Sequence, residues 1–200
     1  HFGAFVIWFI FPFFVGNSLG YGSFALGVMM AVMAAANTGF SSTGGWLCDR
    51  VGTTAIGTIG LTALSAGLLL MGFLDAESGL DQVALRIALV GVGTGLFQAS
   101  AFTLMMSSVP VQRFGTAGAA IALAQSLGTV LSVAVTGGLF ALSNGYHLEV
   151  LGSGGLTSVE NEARAFVLAY RDVFHMGAAI TIVAAGVFLI IRGPKAGKSV

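Results

Sequence analysis

The feature that most constrains this chain is a recurrence of long apolar runs nearly free of Asp, Glu, Lys and Arg. A bilayer core about 30 Å thick takes about 20 apolar residues per helical crossing. Runs at 2–15, 24–43, 54–74, 83–107, 117–142 and 173–191 meet or approach that length within the 200 residues. Only 8% of the residues are charged, against about 25% in an ordinary soluble domain. The expected fold class is therefore all-α: a polytopic membrane helix bundle of about six transmembrane helices, with the lipid bilayer as its first partner. Thirty glycines fit this, because apolar helices in lipid associate through close backbone approach at small residues.

Lys plus Arg and Asp plus Glu are both 8, so the net charge is zero. No basic field is available to hold nucleic acid. The single cysteine, Cys48, excludes an internal disulfide scaffold. No Cys and His spacing suggests a zinc site, so neither metal nor cofactor is expected. The run 2–15 is short for a crossing. The chain starts at His1 without the basic region and cleavage site of a signal peptide. The first helix is thus expected to be truncated, with a preceding half of the protein missing, and whether that reflects a natural truncation stays open.

Placing the charges gives the loops a sidedness. Arg50, Arg113, Arg192, Lys195 and Lys198 fall on the side of the C-terminus with one acid, Asp49. Arg86, Arg164 and Arg171 fall on the other side with the remaining acids. Cytoplasmic loops are enriched in Lys and Arg, which puts the C-terminus in the cytoplasm of a multi-pass cell (inner or plasma) membrane protein. The stretch 143–172 is the longest polar one and reads as an extracytoplasmic loop. Within it, Ser158 with the acids after it suggests a short interfacial helix.

The most specific local pattern is Gly45, Leu47, Asp49, Arg50 and Gly52 between two apolar runs. Asp49 can accept from backbone donors at the start of the next helix, and Arg50 can pair with an acid or a lipid phosphate. Glycines let two antiparallel helices turn tightly. This Gly-x-Leu-x-Asp-Arg-x-Gly run resembles the cytoplasmic signature loop of the major facilitator superfamily, in the repeat within its C-terminal half; where the family commonly continues with basic residues, this chain has Thr53-Thr54. Phe11 to Gly27 resembles the first outer turn of that half in the fourteen-span drug:proton antiporter branch. Arg86 to Gln98, then Val109-Pro110, Arg113, Gly115, Gln125 and Leu127-Gly128, continue in that branch's order. A Pro-Asn pair common there is replaced by Ser100-Ala101. The resemblance implies that residues 1–200 are the C-terminal six-helix bundle of a carrier that moves a small, amphipathic molecule by alternating access. It further implies proton-coupled multidrug efflux, with a carrier of another metabolite class as the alternative.

Other residues follow from their surroundings. Small residues recur at every fourth position at Gly91, Gly95 and Ala99, and again at Ala120, Ala124, Gly128, Ser132 and Thr136. Such ladders suit helices that pack closely or rock past each other. Asn37, Gln98 and Gln125 are amides set in apolar runs and must face protein or a wet cavity. They are expected either to line a substrate path or to bond between helices. Arg86, Asp172 and His175 are the titratable groups closest to the apolar region. Gly91 to Gly95 lacks the last glycine of a dinucleotide fingerprint, and Gly193 to Ser199 lacks the spacing of a phosphate loop. A six-span intramembrane protease would need a membrane serine near a histidine; Ser153 and His175 are the nearest such pair, and Ser153 lies in the polar stretch. No enzyme is expected. A truncated membrane protein that transports nothing is a third reading.

Overall fold

Inside a bilayer the backbone has no water to bond, so each apolar run satisfies its own N–H and C=O groups as an α-helix. The computed structural model describes residues 2–17, 22–74, 79–152 and 158–190. In chain order these form α1 (Phe2–Asn17), α2 (Ser23–Val51), α3 (Thr53–Gly72), α4 (Leu80–Ser107), α5 (Phe114–Gly152) and α6 (Ser158–Ile190). A 3-10 turn, Val111–Arg113, follows Pro110 and leads into α5. Five helices, α2 to α6, are long and apolar enough to cross a membrane. The α1 helix has 16 residues and carries Pro12 inside it. Among the described residues there is no strand, and the architecture is the all-α polytopic bundle that the apolar runs imply.

Two segments read from the sequence as connections are helix instead. The polar residues from Gly44 onward continue α2 to Val51, and the reversal falls on Gly52 alone. Gly52 has φ +104°, in the region that glycine adopts without the Cβ clash of other residues. Its N–H bonds the Cys48 carbonyl at 3.0 Å. The stretch 143–172, expected as a loop with a short helix, is instead the last part of α5, to Gly152, and the first part of α6, from Ser158. Polar residues end an apolar run without ending a helix, since a helix that leaves the hydrocarbon can simply be solvated. Residues 153–157 and 191–200, with Ser153 and the basic tail, lie outside the described residues.

The α4 helix is the central post. It packs along α2 on one side and α3 on the other, and α3 in turn packs on α6. The α5 helix joins the bundle through α6 and α1 and meets α4 only weakly. The largest apolar core unites Val6, Ile7, Ile10 and Phe11 of α1 with Leu64, Leu68 and Met71 of α3, Ile87 and Val90 of α4, and Tyr170, Phe174 and Ala178 of α6. Two buried hydroxyls bind helices across this frame. Ser65 donates to the Ala178 carbonyl at 3.0 Å, and Ser100 donates to the Thr53 carbonyl.

Candidate functional site

The tight contacts around α4 are made by backbone. A methyl carbon added at Gly91 would sit 2.5 Å from the Met33 carbonyl oxygen, and one at Gly95 would sit 2.5 Å from that of Asn37. These two members of the sequence ladder therefore seat α4 directly on α2. On the opposite flank Gly93 meets α3. A methyl there would lie 2.7 Å from Leu64 Cα, and one on the facing Gly60 would lie 2.5 Å from the Phe97 nitrogen. The Gly60–Gly93 contact was not singled out from the sequence, because neither residue belongs to a ladder on its own helix that could be told from ordinary glycine richness.

The third side of α4 is open. Between α4 and α5 lies a cavity of about 560 Å³, lined by Gln98, Phe102 and Met105 from α4 and by Ile121, Ala124, Gln125 and Gly128 from α5. A second cavity of about 250 Å³ lies between α2 and α4 beneath Trp8 of α1 and includes Asn37 and Thr94. Phe97 and Gln98 line both, so the two form one cleft that runs past α2, α4 and α5. Among the described residues, none of its lining side chains is charged. All three amides singled out in the sequence border this cleft.

Their roles differ. Asn37 donates its amide to Thr94 Oγ1 at 2.8 Å, and Thr94 Oγ1 in turn donates to the carbonyl oxygens of its own preceding turn. Asn37 is thus committed to holding α2 and α4 together. Gln98 is exposed and Gln125 half-buried, and both line the larger cavity. An amide left in hydrocarbon without a partner is costly by several kcal/mol, so this cleft is a place for water, ligand or further protein. Trp8, Thr94 and Phe97 complete it, and no spacing in the sequence marked them.

The α5 ladder is split between two environments. Ala120 and Ala124 are exposed, Gly128 is half-buried, and Ser132 and Thr136 are buried. One end of the stripe thus borders the cleft and the other is packing. At the Asp49 end of the bundle, Asp49 and Arg50 occupy the last turn of α2, with Leu47 half-buried against Cys48, Ile56 and Leu96. The Arg50 guanidinium carbon stands 4.0 Å from the centre of the Trp46 ring, a cation–π stack. Gly45 is open to its surroundings, and Gly52 caps α3 without a side-chain bond.

At the opposite end, two arginines and a histidine gather where α3 stops. Arg86 Nη1 donates to the Leu70 carbonyl at 2.7 Å, Arg171 lies 5.5 Å over the Phe73 ring, and His175 packs on the same ring with centroids 5.2 Å apart. The last carbonyls of a helix lack intrahelical partners and carry partial negative charge, which favours cations there. Asp172 accepts from Ser143 Oγ and lies 2.9 Å from His147 Nε2, both on α5. Serine, histidine and aspartate meet here, but the carboxylate is the hub. A hydrolytic triad needs the imidazole between the other two, and this arrangement does not activate the serine. Ser143 and His147 were missed because a helical spacing of four means nothing in a segment read as loop. Among the described residues no group of three or more His, Cys, Asp or Glu is placed to hold a metal ion.

With this geometry in view, the relatives of the chain become informative. No family model matches it. A triacylglyceride transporter of Mycolicibacterium smegmatis is 27% identical over 174 residues, 75% of this chain and 31% of the relative. An uncharacterized Escherichia coli transporter, YebQ, is 30% identical over 144 residues, covering 70% of this chain and 31% of the relative. The multidrug resistance protein Stp of Mycobacterium tuberculosis is 30% identical over 128 residues, covering 64% and 24%. The chain spans about a third of the length of the first two relatives. An apolar bundle with an uncharged cleft is therefore related in sequence to named membrane transporters.

Proposed function

We propose that this chain is part of a major facilitator carrier and forms the six-helix bundle of its C-terminal half. In such a carrier two bundles rock about a site near the membrane midplane and expose it to each side in turn. The cleft along α2, α4 and α5 is this bundle's share of the substrate path. Gln98 and Gln125 supply its hydrogen-bonding groups, Phe97, Phe102 and Met105 supply its apolar wall, and the half of the complex absent from this chain closes its open side. The Gly45 to Gly52 reversal is the cytoplasmic latch, with the C-terminus on the same side. The substrate is a small amphipathic molecule, and proton-coupled drug efflux is the preferred cycle. A multidrug resistance protein among the relatives supports that preference, while a triacylglyceride transporter keeps a lipid-like substrate as the second reading.

The observation that carries this proposal is the convergence of Gln98 and Gln125 from two helices on one uncharged cleft. Trp8 borders the same cleft and can report on it. In lipid nanodiscs, with Trp46→Phe leaving Trp8 as the sole tryptophan, ethidium is expected to quench Trp8 saturably. The double variant Gln98→Ala/Gln125→Ala should remove the saturable component and leave the linear one caused by partitioning into lipid. Equal saturable quenching in both proteins would overturn the assignment. In liposomes under a pH gradient this bundle by itself is expected to move no ethidium, and transport by it alone would refute the half-carrier reading.

A further inference from the structure

We infer that His147 and Asp172, together with Ser143, form a proton-binding clasp that ties α5 to α6 and tightens when the imidazole takes up a proton. The inference is independent of the cleft and of the transport reading. Two donors spaced one helical turn apart on α5 converge on the same carboxylate oxygen of α6, Asp172 Oδ2, with His147 Nε2 at 2.9 Å. Serine supplies a bond at any pH. Histidine is the side chain whose charge ordinarily changes between about pH 5 and pH 8, so it supplies a pH-dependent one. Once protonated it faces an anion at hydrogen-bond distance, and a charge-assisted bond is roughly twice as strong as a neutral one. The His147 side chain is 19% exposed and that of Asp172 is 53% exposed.

The remaining groups around the pair sit in other contacts or lie exposed. On α6, His175 packs against Gly72 and Phe73, Arg171 lies over Phe73, and Tyr170 is buried against Phe174. On α4, Arg86 is held by the Leu70 carbonyl. On α5, Tyr146 sets its ring edge-on to His147, and Glu149 is exposed. The α1 sequence contains no acidic or basic residue. His175 is the one nearby group that could mimic the effect, since its Nε2 is buried without a hydrogen-bond partner among the described residues.

The test places spin labels at two exposed positions, Glu149→Cys on α5 and Ala163→Cys on α6, in a Cys48→Ser chain in lipid nanodiscs. Pulsed dipolar spectroscopy then compares the distance distribution at about pH 5.5 and about pH 8, either side of ordinary histidine titration. The distribution is expected to be narrower at the acidic pH. His147→Gln and Asp172→Asn should each abolish the pH-dependent narrowing, while His175→Gln should keep it. Narrowing that persists in His147→Gln, or that is lost in His175→Gln alone, would overturn the clasp. So would identical distributions at both pH values in the parent chain.

Discussion

The packed sides of α4 and its open side solve opposite problems. Toward α2 and α3 it presents Gly91, Gly95 and Gly93, and the neighbouring backbones come so close that an added methyl would overlap them. Toward α5 it presents Gln98, Phe102 and Met105 across open space. Close backbone contact lets many weak dispersion contacts accumulate where lipid offers no hydrophobic drive, and it excludes any ligand. The open flank gives up that packing and keeps amides that need partners. One helix thereby separates the rigid part of the bundle from the part able to hold a molecule or meet a second bundle.

The largest expected effect comes from breaking the rigid flank. Gly93→Val forces branched carbons into the Leu64 backbone, and overpacking of that kind lies at or beyond the upper end of the usual range of about 1–3 kcal/mol. Unfolding in mixed detergent micelles should show it as a marked loss of stability. Gly60→Val attacks the same contact from the other side, so the double variant should lose clearly less than the sum of the two. Gly138 of α5 has nothing within 4 Å of an added methyl, and Gly138→Ala should change stability by no more than about 0.5 kcal/mol. A similar loss at Gly138 and Gly93 would show that the close contact at Gly93 is not what the bundle relies on.

Blocking the open flank should have a smaller effect, and on a different quantity. Ala124 is exposed and lines the larger cavity, so Ala124→Phe fills the cleft without colliding with backbone. Saturable quenching of Trp8 by ethidium should weaken about tenfold, equivalent to about 1.4 kcal/mol, with little change in unfolding. If stability falls and quenching survives, the cleft is a packing defect and not a binding surface.

How far the sequence foretold this division depended on which signal each part used. The helices were legible because hydrophobic length is a strong constraint in lipid, and Gly91 and Gly95 were legible because a step of four keeps residues on one face. The α5 ladder looked uniform in sequence yet divides, with Ser132 and Thr136 buried and Ala120 and Ala124 exposed. Spacing shows which residues share a face but not what that face meets. Asp172 and His175 stood out as titratable groups near an apolar run, whereas Ser143 and His147 did not. Polar composition concealed the continuation of α5 to Gly152, and with it the helical spacing that brings both side chains to Asp172.

Asn37 stands on the border between the packed and open sides and offers the finest test of the comparison. It lines the smaller cavity, yet its amide is bonded to Thr94 at 2.8 Å, inside the α2–α4 seam. If the seam is its role, Asn37→Leu should lower stability by about 0.6 kcal/mol, the average for interhelical side-chain bonds in lipid. Thr94→Val should lower it by a similar amount, and the double variant by little more than either, because both remove one bond. Ethidium quenching of Trp8 should stay within twofold of the parent. A larger fall in quenching with unchanged stability would move the role of Asn37 from the seam to the cleft.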